Sequence, residues 1–287
     1  MKIIDTIKSD KVTLSFEVFP PKTSDKLENT YEAAAQIARL NPSYISVTYG
    51  AGGGRSLYTA QLAQRIQEET GVPVLAHLTC VSSTHETVEH MVQEYQERGI
   101  ENVLALRGDI PEDGQIEQDY RYAAELVTEI RQAGDFCIGG ACYPEGHIEC
   151  EHKAEDIAHL KAKVDAGCEF LTTQMFFDNN VFYNFLYRAK DAGIDVPVIP
   201  GIMPITTARQ LSRSVAMSGT NVPEKFRAIV DHFGPDPEAM RQAGIVYASE
   251  QIIDLVANGV RHIHVYSMNK PSVAGAIMDN LAHIIEL

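Results

Sequence analysis

The chain has 287 residues, 45% of them apolar, and carries 24 Lys and Arg against 39 Asp and Glu for a net charge of −15. That balance repels a phosphate backbone over long range and argues against nucleic acid as a partner. The length admits one large domain or two small ones, and the apolar fraction supplies a sizeable core. Five cysteines (Cys80, Cys137, Cys142, Cys150 and Cys168) form no CxxC pair, so neither a disulfide framework nor a zinc ribbon is indicated. The opening MKIIDTIKSDK has no apolar signal region. With no later run of about 18 apolar residues, a soluble cytoplasmic protein is expected.

The first strand is read at 12–19, VTLSFEVF, and stops at Pro20-Pro21. Glu17 lies in it between Phe16, Val18 and Phe19. A buried unpaired carboxylate takes a proton or finds a partner, so Glu17 either faces solvent or is a working acid. The helical pattern LENTYEAAAQIARL leads to a second strand at 44–49, ending in Thr48 and Tyr49, and then to the turn YGAGGGRS at 49–56. Backbone N–H groups of such a turn can cradle phosphate, or its glycines simply permit a close approach. The third strand, 74–79, holds His77 among apolar residues, the usual setting of a core histidine, and Thr79 follows it.

Strand four, 102–107, runs into Arg107-Gly108-Asp109. Cation, glycine and anion in succession make either a salt-bridged turn or a ligand site. Strand five, 137–143, ends in Tyr143, and the loop GHIECEH at 146–152 gathers His147, Cys150 and His152. Their spacing fits no standard structural zinc pattern, so lining a cofactor is the stronger reading and metal the weaker. Strand six, 169–176, carries Gln174 before the aromatic pair of MFFD. Strand seven is read at 196–202, followed by ITTARQLSRSVAMSG and an insertion, VPEKFRAIVDHFG with PDPEAM, expected to add a helical turn or two. Strand eight, 262–268, ends with Tyr266, shortly before Asn269.

Eight strands alternating with amphipathic helices predict an α/β fold, a (β/α)8 TIM barrel formed by residues 1–287 as a single catalytic domain with a short helical insertion between strands seven and eight. A doubly wound sheet would show a GxGxxG turn after its first strand, where this chain has two prolines. In a barrel, chemistry sits at the carboxyl ends of the strands, and there the polar residues collect.

In order along the chain, FEVFPPK, VTYGAGG, LTC, LRGD, YPEGH, TQMFFD and PGIMPI resemble the successive motifs of the methylenetetrahydrofolate reductases, over nearly the whole sequence. The resemblance implies an FAD-dependent barrel that reduces 5,10-methylenetetrahydrofolate to 5-methyltetrahydrofolate, with hydride from NADH or NADPH passing through the flavin in ping-pong fashion. It makes Glu17 the general acid that protonates folate N10, and Asp109 the carboxylate beside flavin and pterin. Gln174, Gln210 and Lys270 become folate contacts alongside those two. For FAD it points to Thr48, Tyr49, His77, Arg107, Gly108, Asp109, Tyr122, Ala123, Tyr143, His147, Ile148, Glu149, Cys150, Asp156, His159 and Lys163, with no metal. Arg107 and Lys163 suit pyrophosphate, and Asp156 a ribose.

The sequence departs from the family in two respects. Some relatives carry an aromatic residue in the helix after strand seven, where 205–217 has none and Ser214 stands near the expected position. The end at Leu287 leaves no S-adenosylmethionine-binding region, so a bacterial-type enzyme without that feedback is expected. The resemblance also implies a homo-oligomer, dimer or tetramer. Two alternatives stay open: a flavoprotein subunit taking electrons from a partner protein, and a metal-dependent barrel hydrolase using His77, His147, Cys150 and His152.

Overall fold

The structure, a computed structural model, describes residues 1–21, 23–49, 56–81, 83–108, 119–150 and 152–285. Nine strand segments form one all-parallel sheet: β1 Thr13–Val18, β2 Ile45–Val47, β3 Val74–Thr79, β4 Asn102–Leu106, β5 Cys137–Cys142, β6 Phe170–Thr173, β7 Val198–Ile199, β8 Gly201–Ile202 and β9 His262–Val265. Their order is β7-β6-β5-β4-β3-β2-β1-β9-β8. Because β7 and β8 are consecutive in the chain, the two ends of that order meet and the sheet curls into a barrel.

The expected barrel is therefore present, with its seventh strand divided at Pro200. Proline has no N–H to give the ladder, and the strand breaks there. Its carbonyl still accepts from His264 N at 2.9 Å, so the seam between the halves stays hydrogen-bonded. Gly201 lets the chain pass: a Cβ would stand 2.5 Å from Thr173 O and 2.6 Å from the Tyr266 ring.

Helix α1, Ile3–Ile7, lies at one end of the barrel, and the others cover the outside: α2 Leu27–Ala38, α3 Ser56–Thr70, α4 His85–Glu97, α5 Ala123–Ala133, α6 Lys153–Asp165, α7 Asn179–Asp191, α8 Ala208–Ser218, α9 Glu224–Phe233, α10 Pro237–Ala257 and α11 Pro271–Leu281. Val88, Met91, Val92 and Tyr95 of α4 show the rule: their i, i+3, i+4, i+7 spacing makes one apolar stripe, and all four are buried. Outward-pointing strand residues such as Phe16, Val47, Ala76, Val103 and Val265 meet these stripes in one continuous core.

Residues pointing into the barrel alternate with them, as the two-residue period of a strand requires. In the amino-terminal half the interior is apolar, with Tyr44, Leu75, Leu104, Cys137, Phe170 and Ile199 in one cluster with Ile3, Ile4 and Ile7 of α1. Helix α1 thus plugs the bottom of the barrel, and each buried isoleucine contributes roughly 1.5–3 kcal/mol. Asn102 fixes the plug: its Oδ1 accepts from Ile3 N at 2.8 Å, and its Nδ2 donates to Val74 O at 3.1 Å and Met1 O at 3.2 Å.

The insertion is larger than expected from sequence. Helix α9 has 10 residues and buries Phe226 and Val230. Phe226 stacks on Tyr247 of α10, ring centroids 4.2 Å apart, and lies 5.1 Å from Phe177. The proline-rich PDPEAM tract starts a 21-residue helix: Pro237 occupies its first turn and Asp236 caps it by accepting from Glu238 N and Ala239 N. Proline has no cost where the helix has no partner for its N–H, which is why it fits there.

Candidate active site

Above the apolar half, the barrel interior turns polar. Ser15, Ser46, His77, Thr172 and His264 are all buried, where barrels normally stack branched aliphatic side chains. Glu17 stands on this layer at the end of β1, its side chain 18% exposed. Its Oε2 lies 3.8 Å from His77 Nε2 and 3.9 Å from His264 Nε2. His77 Nε2 is 3.0 Å from Ser46 Oγ, and the Tyr95 hydroxyl donates to the His77 carbonyl at 2.7 Å. Burial pushes the His77 imidazole down to about 4, against a weaker upward pull from Glu17, so His77 is neutral at physiological pH. Glu17 is thus a mostly enclosed carboxyl group between two imidazoles rather than a side chain on a solvent face.

The loop after β9 holds this strand end. Asn269 Nδ2 donates to Phe19 O and its Oδ1 accepts from Phe19 N, both at 2.9 Å, while Ser267 Oγ donates to Glu17 O at 3.1 Å. Met268 and Asn269 adopt φ of 56° and 53°, a left-handed turn uncommon for residues other than glycine. The exit of β1 is thereby clamped two residues from the carboxylate.

A cavity of about 700 Å³ opens beside the ends of β4 and β5, within the size range of cofactor sites. Helix α6 presents Asp156, His159 and Lys163 to it, at the i, i+3, i+7 spacing of one helix face. Arg107 and Tyr143 enter from the strand ends, Tyr122 and Ala123 from the start of α5, and His147, Glu149 and Cys150 from the loop after β5. Lys163 Nζ donates to Ala141 O at 2.6 Å. Its stem crosses Gly140, where a Cβ would come within 2.8 Å of Lys163 Cδ. Tyr122 and His159 stack at 4.5 Å with 24° between their planes, a flat surface at one side of the cavity.

Charge in the cavity is arranged in pairs. Arg107 engages Glu149 bidentately, Nη1–Oε2 2.5 Å and Nη2–Oε1 2.8 Å. That hydrogen bonding holds the Glu149 carboxyl below the usual range. Burial raises Asp156, opposed by His147 and Lys163, and burial together with the Arg107 charge lowers His147. Glu149 N donates to His147 Nδ1 at 3.1 Å, which makes Nδ1 the acceptor and leaves the proton of neutral His147 on Nε2. Tyr143 lies edge-on to the same imidazole at 4.6 Å.

Not every expected cofactor residue lines this cavity. His77 points into the barrel toward Glu17, and Ile148 is 60% exposed, with its side chain against the glycine that ends α8. Thr48 and Tyr49 end β2 away from the cavity lining; Thr48 O accepts from the Thr59 hydroxyl at 2.9 Å, and Tyr49 packs on the outer core. Gly108 follows Arg107 with φ of +87°, and a Cβ there would meet Val81 Cγ1 at 2.5 Å. Asp109 and the glycine-dense turn at 50–54 lie outside the described residues. Arg121 also lines the cavity and was not singled out from sequence, whereas His152, read there with His147 and Cys150, lines it as well. Adjacency to Tyr122, over whose ring Arg121 sits at 5.2 Å, was the only signal for the first.

Two of the expected folate residues, Gln210 and Lys270, are tied together by Thr206. Lys270 Nζ donates to Thr206 Oγ1 at 2.9 Å, and Gln210 Oε1 accepts from Thr206 Oγ1 at 3.1 Å and Thr206 N at 3.0 Å. Gln174 turns its Oε1 back to Met175 N at 3.0 Å, and its own N donates to Cys142 O. Ser214 Oγ lies 3.4 Å from Met203 Sδ. Among the described residues no group of three or more His, Cys, Asp or Glu side chains is arranged to hold a metal ion, and no helix is long and apolar enough to cross a membrane.

A parallel barrel with an acid and a large polar cavity at the carboxyl ends of its strands defines a TIM-barrel enzyme. The methylenetetrahydrofolate reductase family model matches residues 2–282, and the chain belongs to that family of oxidoreductases. It is 36% identical over 271 residues to the 5,10-methylenetetrahydrofolate reductase of Pectobacterium carotovorum subsp. carotovorum, covering 94% of this chain and 90% of that protein. The Escherichia coli (strain K12) protein of the same name is 34% identical, with 94% and 91% covered. Methylenetetrahydrofolate reductase (NADH) 1 of Arabidopsis thaliana is 36% identical over 100% of this chain, which spans 52% of the plant protein. A solved structure described as an uncharacterized protein from Clostridium thermocellum that binds two copies of 5-methyl-5,6,7,8-tetrahydrofolic acid superposes with a TM-score of 0.69. It is 14% identical and covers 99% of this chain and 98% of its own, a likeness of fold.

Proposed function

We propose that the barrel binds FAD in the cavity between β4, β5 and α6 and reduces 5,10-methylenetetrahydrofolate with hydride supplied by NADH or NADPH, Glu17 serving as the acid. The observation that carries this reading is the placement of Glu17 on a buried polar layer at the same end of the barrel as the cavity. The cavity's residues fit the cofactor: two cations, Arg107 and Lys163, suit a pyrophosphate, Asp156 a ribose hydroxyl, and the Tyr122–His159 stack an adenine face. Bound there, the flavin supplies hydride chemistry that amino-acid side chains lack. Asp109 is assigned the pterin contact and Gln174, Gln210 and Lys270 further folate contacts on the family resemblance.

Glu17 holds a proton on its carboxyl group and delivers it to N10 of the folate, opening the five-membered ring to an electrophilic iminium. A general acid of this kind contributes about 10²–10⁴-fold. Enzyme and site are read as belonging to one catalytic domain working in the cytoplasm as a homo-oligomer.

The test is the visible spectrum of the purified protein, followed anaerobically while NADH, NADPH and then methylenetetrahydrofolate are added. A flavin band bleached by one nicotinamide and restored by the folate supports the proposal and names the donor. A flavin that neither nicotinamide bleaches points to electrons from a partner protein. Failure to bind FAD at all overturns the reading.

A further inference from the structure

The cavity beside β4 and β5 sets a carboxylate on the cation that a diphosphate needs. Each of the three nitrogens of the Arg107 guanidinium donates within the protein: Nη1 and Nη2 to Glu149 Oε2 and Oε1 at 2.5 and 2.8 Å, and Nε to Gly108 O at 3.3 Å. A planar fork with two parallel bonds is also how arginine takes a phosphate, so Glu149 and a diphosphate call on the same donors. Among the described residues lining the cavity the formal charges cancel, Arg107, Arg121 and Lys163 against Glu149, Glu155 and Asp156. The whole chain carries −15. A diphosphate entering there is drawn by no excess of positive charge, and Arg107 is half of the positive charge assigned to it.

The pair can open from one side. The Glu149 side chain is 45% exposed and that of Arg107 28%. The main chain of Glu149 is held independently of its carboxylate, because its N donates to His147 Nδ1 at 3.1 Å and Cys150 N donates to His147 O at 2.9 Å. Rotation about the side-chain bonds of Glu149 therefore turns the carboxylate toward water while His147 and the loop after β5 keep their places. Arg107, anchored at Gly108 O, stays at the end of β4. Protonation does not open the pair near neutrality, since the hydrogen bonds from Arg107 hold the Glu149 carboxyl below its usual range. An incoming anion has to displace it.

We propose that Glu149 is an internal competitor for the diphosphate of the cofactor: its carboxylate holds the Arg107 donors that the phosphate oxygens use, and binding exchanges one anion for the other. Glu149 then sets how tightly the cofactor is held by opposing it, instead of adding a contact to it. Two effects act in the same direction. The exposed Arg107–Glu149 pair is lost on binding, and the released carboxylate stays on the loop beside the cavity, where it repels the phosphates. The inference rests on the reading of this cavity as the FAD site given above.

The experiment titrates the full-length protein, stripped of flavin, with FAD, ADP and adenosine at one ionic strength, comparing wild type with Glu149→Gln and Glu149→Ala. Glutamine keeps a single hydrogen bond to Arg107 without the charge, and alanine removes both. ADP carries the diphosphate without flavin, and adenosine carries neither. FAD and ADP are expected to bind about threefold to tenfold tighter to the glutamine variant and at least as tightly to the alanine variant, with adenosine binding unmoved. Unchanged or weaker binding of FAD overturns the proposal, because a carboxylate that orients Arg107 for phosphate, or contacts the cofactor itself, is missed when it is removed. A gain shared equally by adenosine overturns it too, since the cavity would then have opened without regard to phosphate. So does a gain in FAD that ADP lacks. Should FAD fail to bind wild type and variants alike, the reading of the cavity falls separately, and ADP alone then decides: tighter binding to both variants supports Glu149 as the competitor, while unmoved or undetectable binding overturns it.

Discussion

The neutral, buried His77 makes stability depend on acid in a way that can be calculated. Its imidazole has an ordinary value of 6.5 and is pushed down to about 4 in the folded chain, mainly by burial. Folded His77 therefore stays neutral in a range where the unfolded chain takes up a proton, so its contribution to stability is full above pH 6.5 and is lost as pH falls toward 4. With about 1.36 kcal/mol per pH unit, the loss between pH 7 and pH 4 comes to roughly 3 kcal/mol. Other groups also titrate there, and Asp156 and Glu145, both raised by burial, act with the opposite sign. The comparison that isolates His77 is with His77→Gln, which keeps an amide within reach of Ser46 and has no titration. Urea unfolding of both proteins at several pH values from 7 to 4 is expected to show the wild type losing roughly 3 kcal/mol more than the variant. Parallel pH dependences would refute the account of His77 as a neutral buried base.

Glu17→Gln is expected to bind FAD and accept hydride from nicotinamide while folate reduction falls at least a hundredfold; stopped-flow measurement of the two half-reactions separates them, and equal survival of both removes Glu17 from the chemistry. Lys163→Met removes a cation from the cavity and should weaken FAD binding about tenfold to a hundredfold in a fluorescence titration, whereas unchanged affinity would place the pyrophosphate elsewhere. Gly108→Ala forces a side chain onto φ of +87° and against Val81, 2.5 Å away, so thermal unfolding should report a loss of roughly 2 kcal/mol or more. Thr206→Val severs Lys270 from Gln210; KM for methylenetetrahydrofolate is expected to rise about tenfold with flavin reduction by nicotinamide retained, and an unmoved KM would make the three-residue link purely structural.

The barrel was legible because its strands and helices announce themselves by different periods. Where the expectation slipped, a local cause is visible. Pro200 divides strand seven, and the stretch 174–176 leaves the ladder after Thr173, although Gln174 N still donates to Cys142 O. Helix α1 went unread because five residues, IIDTI, are too few to display a helical period. Only the apolar floor of the barrel explains why three isoleucines belong there. The cavity followed a similar division. Residues in the loop after β5 came from the YPEGH and GHIECEH stretches and those on α6 from the family resemblance, whereas Arg121 sits in no pattern and enters through the packing of α5 beside the strand ends.

The surroundings of Glu17 were written in the sequence in a form that is easy to pass over. Each of five strands places polar residues two apart at its carboxyl end: Ser15 and Glu17, Ser46 and Thr48, His77 and Thr79, Thr172 and Gln174, His264 and Tyr266. A strand buried on both faces should read as a continuous apolar run, so a polar residue at every second position means that one buried face is not core. In a parallel barrel that face can only be the interior, and since the pairs lie late in each strand, only its upper half. Such a layer costs stability, because every hydroxyl and imidazole must find a partner away from water. The apolar floor built from Tyr44, Leu75, Leu104, Phe170 and the α1 isoleucines offsets part of that cost. Two periods within one strand, apolar outward throughout and apolar then polar inward, thus locate the polar end of the barrel and the surroundings of Glu17.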